Sequence, residues 1–385
     1  MNSLSRRLVL GLILASGLVR AVEPAAAAGT AEKPRNIILF IGDGMGTNHV
    51  RAAILQKAAN RHQSPEATQL AFTVFSVTGK LATRSANSAV TDSAAAGTAL
   101  ACGVKTNNGV IGKDSGGRDV DSVAVLAKRQ GKAVGILTSV GLDDATPAVF
   151  YAHAASRKEL DGILDQAFTS TAYDVLMGGG VMGKGWPDAK LRDRAAAAGL
   201  FYVNAAGLAA LAPAATAGKR VFGCFDLNGD TMLNLMASRQ PGDREPRLAD
   251  ITCKALEILC NRSGTAGFFL MVEGGAIDKA SHKNNTAGML GEMLELDQVV
   301  ADAVAFLKGN GELGRTLIMV TADHETGGLT LAAPAKAGAP GVTWGSTNHT
   351  ATDVPLFATG PGAPRFAGPH DNTDVAKLIT LLLQP

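Results

Sequence analysis

The residues best equipped for chemistry are carboxylates and imidazoles placed just beyond apolar runs. Asp43 follows the run Asn36–Ile41, and Asp144 and Thr146 follow Ala133–Thr138. Glu273, Asp278, Lys279 and His282 follow Gly267–Val272, and Asp323 and His324 follow Arg315–Thr321. His349 stands shortly before the run Val354–Thr359. Singly, each has a plain structural reading: Asp after Gly is a common turn residue, and a lone Asp-His pair usually sits in a turn or on the surface. Four strand ends with carboxylates, two of them with histidine, point instead to one shared site. Carboxylates brought together lose hydration and repel one another unless cations neutralise them. Mixed Asp/His sets suit zinc, whereas all-oxygen Asp/Glu/Thr sets suit magnesium. His49, His62, His153 and His370 are assigned no chemistry.

A second candidate is the stretch Thr91-Asp92-Ser93 followed by Ala94-Ala95-Ala96-Gly97-Thr98-Ala99. Its polar triplet and small residues predict a helix beginning near Ser93, with the hydroxyl at the positive end. Free N–H groups and the helix dipole there favour an anion such as phosphate or sulfate. Alone, the segment reads first as an ordinary N-cap; its company with the strand-end carboxylates turns the reading to a nucleophile.

These side chains need a scaffold that gathers strand ends. From Asn36 onward, apolar runs alternate with glycine-rich turns and helical stretches. Strands are expected at 36–41, 133–138, 175–177, 221–225, 267–272, 315–321 and 354–359. Helices are expected from Ser93, over Val149–Leu164, in part of Leu191–Ala212, and over Pro246–Leu259, Gly288–Leu307 and Thr373–Leu383. Continuous apolar strands alternating with helices indicate an α/β fold with a mostly parallel sheet covered on both faces. Ligands then bind at the carboxyl ends of the strands. No repeat or long linker interrupts 29–385, so one domain is expected there.

Composition narrows the class. The 385 residues are 46% hydrophobic and 18% charged, which fits a globular chain with a large core. Arg6-Arg7, an apolar run from Leu8 to Val19 and Ala25–Ala28 read as a cleavable export signal over residues 1–28. Twelve or so apolar residues are too few for a comfortable membrane span. Ser5-Arg6-Arg7-Leu8 also resembles a twin-arginine signal, and both export routes to the periplasm or medium stay open. Without residues 1–28 the net charge falls from +2 to zero, which argues against nucleic acid as a partner. Among Cys102, Cys224, Cys253 and Cys260 there is no CxxC pair, and buried free thiols are expected.

Together these segments resemble the alkaline phosphatase family. The matching stretches are Gly42-Asp43-Gly44-Met45-Gly46, Asp92-Ser93-Ala94-Ala95, Asp144-Ala145-Thr146-Pro147, Ser156-Arg157-Lys158, Val272-Glu273-Gly274 through His282, Thr321-Ala322-Asp323-His324, and His349. The resemblance implies the family's three-layer fold, two zinc ions and one magnesium. Asp278, His282 and His349 would hold the first zinc; Asp43, Asp323 and His324, completed by Ser93, would hold the second. Asp43, Thr146 and Glu273 would hold magnesium, with Asp144 holding one of its waters. Ser93 would be the phosphorylated nucleophile, Arg157 the clamp on two phosphate oxygens, and Lys279 a phosphate contact through water. Small phosphate monoesters would be the substrates, with no stable membrane contact, and a homodimer is allowed.

Two other classes are weighed against this. A sulfatase would want Cys or Ser followed by x-Pro-x-Arg, which Ser93-Ala94-Ala95-Ala96 lacks. A diesterase on the same metal core commonly carries Thr at the nucleophile and lacks the arginine clamp. A non-enzymatic binder would be expected to have lost Ser93 or a ligand, and none is missing.

Overall fold

The computed structural model describes residues 33–384, apart from 226–231, 234 and 337–338. The expected signal segment, 1–28, lies outside the described residues. Fourteen strands occur among them. They are β1 (Asn36–Gly42), β2 (Val77–Ala82), β3 (Ala133–Thr138), β4 (Val175–Gly178), β5 (Phe201–Val203), β6 (Val221–Cys224), β7 (Phe268–Gly274) and β8 (Thr316–Thr321). The remainder are β9 (Glu325–Thr326), β10 (Thr330–Lys336), β11 (Ala339–Thr343), β12 (His349–Thr350), β13 (Val354–Thr359) and β14 (Gly368–Asp371).

Ten of these form one sheet in the order β14-β2-β13-β8-β1-β7-β3-β4-β6-β5. Within it β13 runs antiparallel to both neighbours and every other pairing is parallel. Every residue of β1, β3, β7 and β8 is buried. That explains their unbroken apolar sequences, because a strand covered on both faces has no polar side to show. Helices Leu248–Arg262, Thr286–Gly309 and Val123–Arg129 pack on these central strands, and helix Ser93–Cys102 lies between Ala145–Ala148 and the closing helix Asn372–Leu383. This is the α/β architecture expected.

The four strands whose ends carry the candidate ligands are consecutive in the sheet, β8-β1-β7-β3. In register, Ile41 of β1 pairs with Glu273 on one side and Thr321 on the other, and Thr138 pairs with Glu273. The turns after all four strands therefore open at one level on one edge of the sheet.

The helix expected over Val149–Leu164 is a correction. A short helix ends at Ala148, an irregular run follows, and the next helix is Leu160–Thr169. Backbone pairing explains it: Ala154 and Ile111 exchange two hydrogen bonds of 3.0 Å, and Arg157 N donates to Gly109 O at 2.6 Å. Donors spent on a distant loop are not available to an i→i−4 ladder. The stretch Leu191–Ala212 is helical only in part, broken by β5. Helix Thr47–Arg61, strand β2 with the edge strand β14 beside it, and the β10–β11 hairpin have no counterpart in the sequence reading. β2 and β14 are both half exposed, and β14 at the sheet edge tolerates Pro369, which hides their pattern. Cys102, Cys253 and Cys260 are free thiols but only half-buried, so burial was over-expected for these three; Cys224 is buried.

One buried acid in the frame makes the stability depend on pH. Glu292, on the helix Thr286–Gly309, accepts a hydrogen bond from Met236 N at 2.7 Å. Burial, assisted by the Glu295 charge, pushes its carboxyl up to about 7. An unfolded Glu titrates near ~4.3, so between about pH 4.5 and 7 the unfolded chain binds fewer protons, and stability falls as pH rises. Glu292→Gln, which keeps the acceptor and removes the charge, should raise Tm at pH 8 and leave it nearly unchanged at pH 4.5. Parallel melting curves of variant and parent across that range would refute the assignment.

Candidate metal and phosphate site

Asp43 leaves the end of β1 through a turn that only glycine permits. Gly44 has φ +75°, and a Cβ there would lie 2.8 Å from Thr326 Oγ1 and 3.1 Å from Asp278 Cα. The turn can thus press against the segment after β7, where Asp278 and His282 sit four residues apart on helix Ala276–Ser281 and its C-cap. Residues at that spacing share a helix face. His349 arrives from far along the chain. Its strand β12 pairs antiparallel with β9, setting His349 opposite Thr326, two residues after His324.

These elements form two clusters of ligand atoms. One is Asp278, His282 and His349; the other is Asp43, Asp323 and His324; within each, the ligand atoms lie within 4.8 Å of one another. Asp278 Oδ1 is 3.3 Å from His282 Nε2 and 3.6 Å from His349 Nε2. His324 Nε2 is 3.2 Å from Asp323 Oδ2 and 3.4 Å from Asp43 Oδ1. The clusters adjoin: the His324 and His349 rings stack with centroids 3.5 Å apart. The far nitrogens are held by oxygens, His282 Nδ1 by Thr347 O at 2.6 Å and His349 Nδ1 by Thr91 O at 2.9 Å. Such contacts fix ring orientation and leave Nε2 turned inward for a metal.

Ser93 opens its helix as expected. Asp92 caps it, accepting from Ala95 N at 3.0 Å, and Ser93 Oγ lies 3.1 Å from His324 Nε2. Arg157, on the irregular run, donates to Asp92 Oδ2 at 3.2 Å and to Asp144 Oδ1 at 2.8 Å. Lys279 Nζ is 2.9 Å from Asp144 Oδ2, although that oxygen meets no hydrogen-bond geometry. Thus a hydroxyl, a guanidinium, an ammonium and a helix N-terminus border the two ligand clusters.

The buried acids are short of partners. Asp43 Oδ1, Asp323 Oδ2, Glu273 Oε1 and Thr146 Oγ1 are buried without a hydrogen bond. Orphaned buried oxygens are rare in folded proteins, and their convergence here fits a donor set made for cations. Burial and the charges of Asp323, Asp278 and Glu273 push the Asp43 carboxyl well up. Burial and Asp144 raise Glu273 to about 8, and burial with Asp278 raises Asp323 to about 7. Burial would also raise Asp278, but the hydrogen bond from His282 and nearby positive charge hold it below the usual carboxylate range. Burial, then His349, keeps His324 neutral, which is its ligand form.

All twelve residues proposed from sequence meet in this region. Several supporting groups went unnoticed there. Thr326 donates to Asp278 Oδ1 at 2.6 Å and lies 3.2 Å from His324 Nδ1, linking the clusters. Thr138 hydrogen-bonds Glu273 Oε2. His49 is neutral in the core, accepting from Gly46 N at 3.2 Å and meeting Ser281 Oγ at 3.3 Å, so it braces the Asp43 turn against the Asp278 helix. Thr326 could have been suspected as the continuation of the Asp323-His324 turn; nothing local marks His49 or Thr138.

The arrangement has counterparts in known proteins. The family model described as alkaline phosphatase matches residues 34–340. Alkaline phosphatase 4 of Bacillus subtilis is 32% identical, over 91% of this chain and 89% of its own length. Alkaline phosphatase of Escherichia coli is 32% identical, over 90% of this chain and 85% of its own length. Among solved structures, a mutant of the TAB5 alkaline phosphatase with magnesium bound superposes with a TM-score of 0.76 at 30% identity, covering 92% of this chain and 99% of that one. With its fold, strand-end ligands and sequence in agreement, the chain belongs to the alkaline phosphatase family, metal-dependent hydrolases of phosphate monoesters.

Proposed function

We propose that this enzyme cleaves phosphate monoesters through a phosphoseryl intermediate on Ser93. The observation that carries the reading is the seat of Ser93 Oγ, 3.1 Å from His324 Nε2 at a helix N-terminus, with Arg157 anchored beside it on Asp92 and Asp144. Asp278, His282 and His349 would hold one zinc, and Asp43, Asp323, His324 and Ser93 a second. Asp43, Thr146 and Glu273, with Asp144 beside them, form an oxygen-only set suited to magnesium, the ion bound in the TAB5 relative. When bound, these ions supply Lewis-acid charge that lowers the hydroxyl pKa and offsets the charge of the phosphoryl group and departing oxygen.

The chain's own groups then do the following. Arg157 presents its remaining N–H groups to two free phosphoryl oxygens, a forked contact that a lysine would replace poorly. The amides opening helix Ser93–Cys102 face the same anion. Ser93 Oγ gives up its proton and bonds to phosphorus as the bond to the alcohol oxygen breaks; the alcohol leaves with a proton. Water then cleaves the Oγ–P bond, releasing inorganic phosphate and restoring the serine. Lys279, paired with Asp144, keeps positive charge beside the phosphate in both steps. The export reading of residues 1–28 would place this turnover outside the cytoplasm.

The test is hydrolysis of a chromogenic monoester against its diester, with zinc and magnesium measured on the same sample. A monoester preference of at least about a hundredfold is expected, falling at least tenfold in Arg157→Ala, because with one oxygen facing the metal ligands a monoester offers the guanidinium two further non-bridging oxygens and a diester only one. A diester preference would transfer the same metal core to phosphodiesterase chemistry.

A further inference from the structure

We infer that the enzyme has an apolar subsite for the alcohol portion of its substrate, walled by Met182 and Met232, and therefore selects phosphate monoesters of apolar alcohols. The inference rests on the monoesterase reading above and adds to it what leaves the phosphorus.

A cavity of about 220 Å³ opens directly beside the phosphate-facing groups. Asp144, Lys279, His282 and Lys283 line it together with Val140, Gly141, Met182 and Met232. In-line displacement puts the departing oxygen on the side of phosphorus away from the nucleophile. Ser93 lies against His324, in the cluster with Asp43 and Asp323. The departing oxygen therefore faces the other cluster, and from that cluster His282 lines the cavity. The group attached to that oxygen projects toward the two methionines.

The wall is built rather than accidental. The buried Asp143 carboxylate accepts from Met182 N at 2.6 Å and Gly183 N at 2.8 Å, so the turn that supplies Asp144 also positions Met182. Leu142 N donates to Gly180 O at 2.7 Å, and a Cβ on Gly141 would lie 2.8 Å from Met182 Cγ. On the other side, Leu233 N donates to Ser139 O at 2.8 Å and fixes the neighbour of Met232 to the end of β3. A Cβ on Gly179 would meet Leu233 N at 2.5 Å, so the two segments close up only around glycine. Thioether side chains accept both alkyl and aromatic surfaces.

The closing experiment measures binding apart from turnover. The metal-loaded enzyme is titrated calorimetrically with methylphosphonate and n-hexylphosphonate, which cannot be hydrolysed at phosphorus by this route. In parallel, kcat/KM is measured for ethyl and n-hexyl phosphate, whose leaving alcohols are electronically alike. Each seated methylene is worth about fourfold, so a hexyl preference of at least about tenfold is expected in both binding and kcat/KM. Met182→Ala with Met232→Ala should reduce it to about threefold or less, with ethyl phosphate turnover within about twofold of the parent. Both positions are half-buried, so the variants should fold. Equal binding of the two phosphonates, or a preference surviving in the double variant, overturns the subsite while leaving the monoesterase reading intact. A hexyl preference in binding without hydrolysis of either ester supports the subsite and removes that reading.

Discussion

Ser93→Ala is expected to eliminate turnover, by more than about a thousandfold, with the metal content of the protein staying within about 20% of the parent. The size of the loss follows from the position of the hydroxyl. Ser93 is buried at the first turn of a helix whose first nine residues are all buried, and the other hydroxyl beside His324, Thr326 Oγ1, sits at Nδ1 and donates to Asp278, so it does not take the place of Ser93 at Nε2. Metal retention follows from the ligand sets. Asp278, His282 and His349 do not involve Ser93, and Asp43, Asp323 and His324 remain three ligands without it. Alanine suits a helix interior, and the Asp92 cap is untouched, so the fold should tolerate the change. Phosphate release and metal analysis on one preparation check both halves. Turnover close to the parent's would remove Ser93 as nucleophile; loss of metal together with activity would make it chiefly a ligand.

Exhaustive chelation should be nearly as damaging to activity and should also destabilise the fold in a pH-dependent way. Without cations, Asp43, Asp278, Asp323 and Glu273 face one another with several buried oxygens unpartnered. Glu273 then titrates near about 8 and Asp323 near about 7. The unfolded chain loses these protons near ~4, so it binds fewer protons than the metal-free fold across the interval between. Stability of the metal-free protein therefore falls as pH rises from about 4.5 to about 8. Metal binding requires the ionised acids and grows stronger over the same interval. The gap in Tm between metal-loaded and metal-free protein should widen from pH 5.5 to 8.5, reaching about 5 °C for each ion present at about a thousand times its Kd. Restoring zinc and magnesium should recover activity. A gap independent of pH would show that these acids are not what the cations neutralise.

From the tertiary structure, activity and stability are expected to separate by mutation. The ligand turns sit at the end of a sheet whose central strands are wholly buried, so the frame does not depend on the cations for its core. Glu292 lies on a different helix, against Met236, and its titration should alter melting without altering the identity of the metal ligands. The methionine wall occupies a third position, where substitutions should change which alcohol leaves but not whether phosphate is released.

Much was legible in the sequence because the needed information is local. A strand buried on both faces must be an apolar run, so β1, β3, β7, β8 and β13 announced themselves within a residue or two at either end. A turn that carries a ligand carries it immediately after the run. The helix at Ser93 was marked by its cap and by the small residues that let it pack closely. The family's motifs, spread in order along the chain, then tied these pieces to one chemistry.

What only the tertiary structure decided is where distant pieces meet. Sheet order made β8, β1, β7 and β3 neighbours, although in sequence order between 42 and 130 positions separate the end of one from the start of the next. The small β9–β12 ladder carried His349 to His324, a pairing that depends on backbone hydrogen bonds and leaves no periodic trace. Long-range bonds to Gly109 and Ile111 turned an expected helix into the irregular run that aims Arg157. Strands β2 and β14, the Thr326 link and the methionine wall are of the same kind. Residue types and their short-range spacing determine which groups are available and how each segment begins to fold; which of them share one site depends on pairings between segments far apart in the chain, whose energies no local pattern encodes.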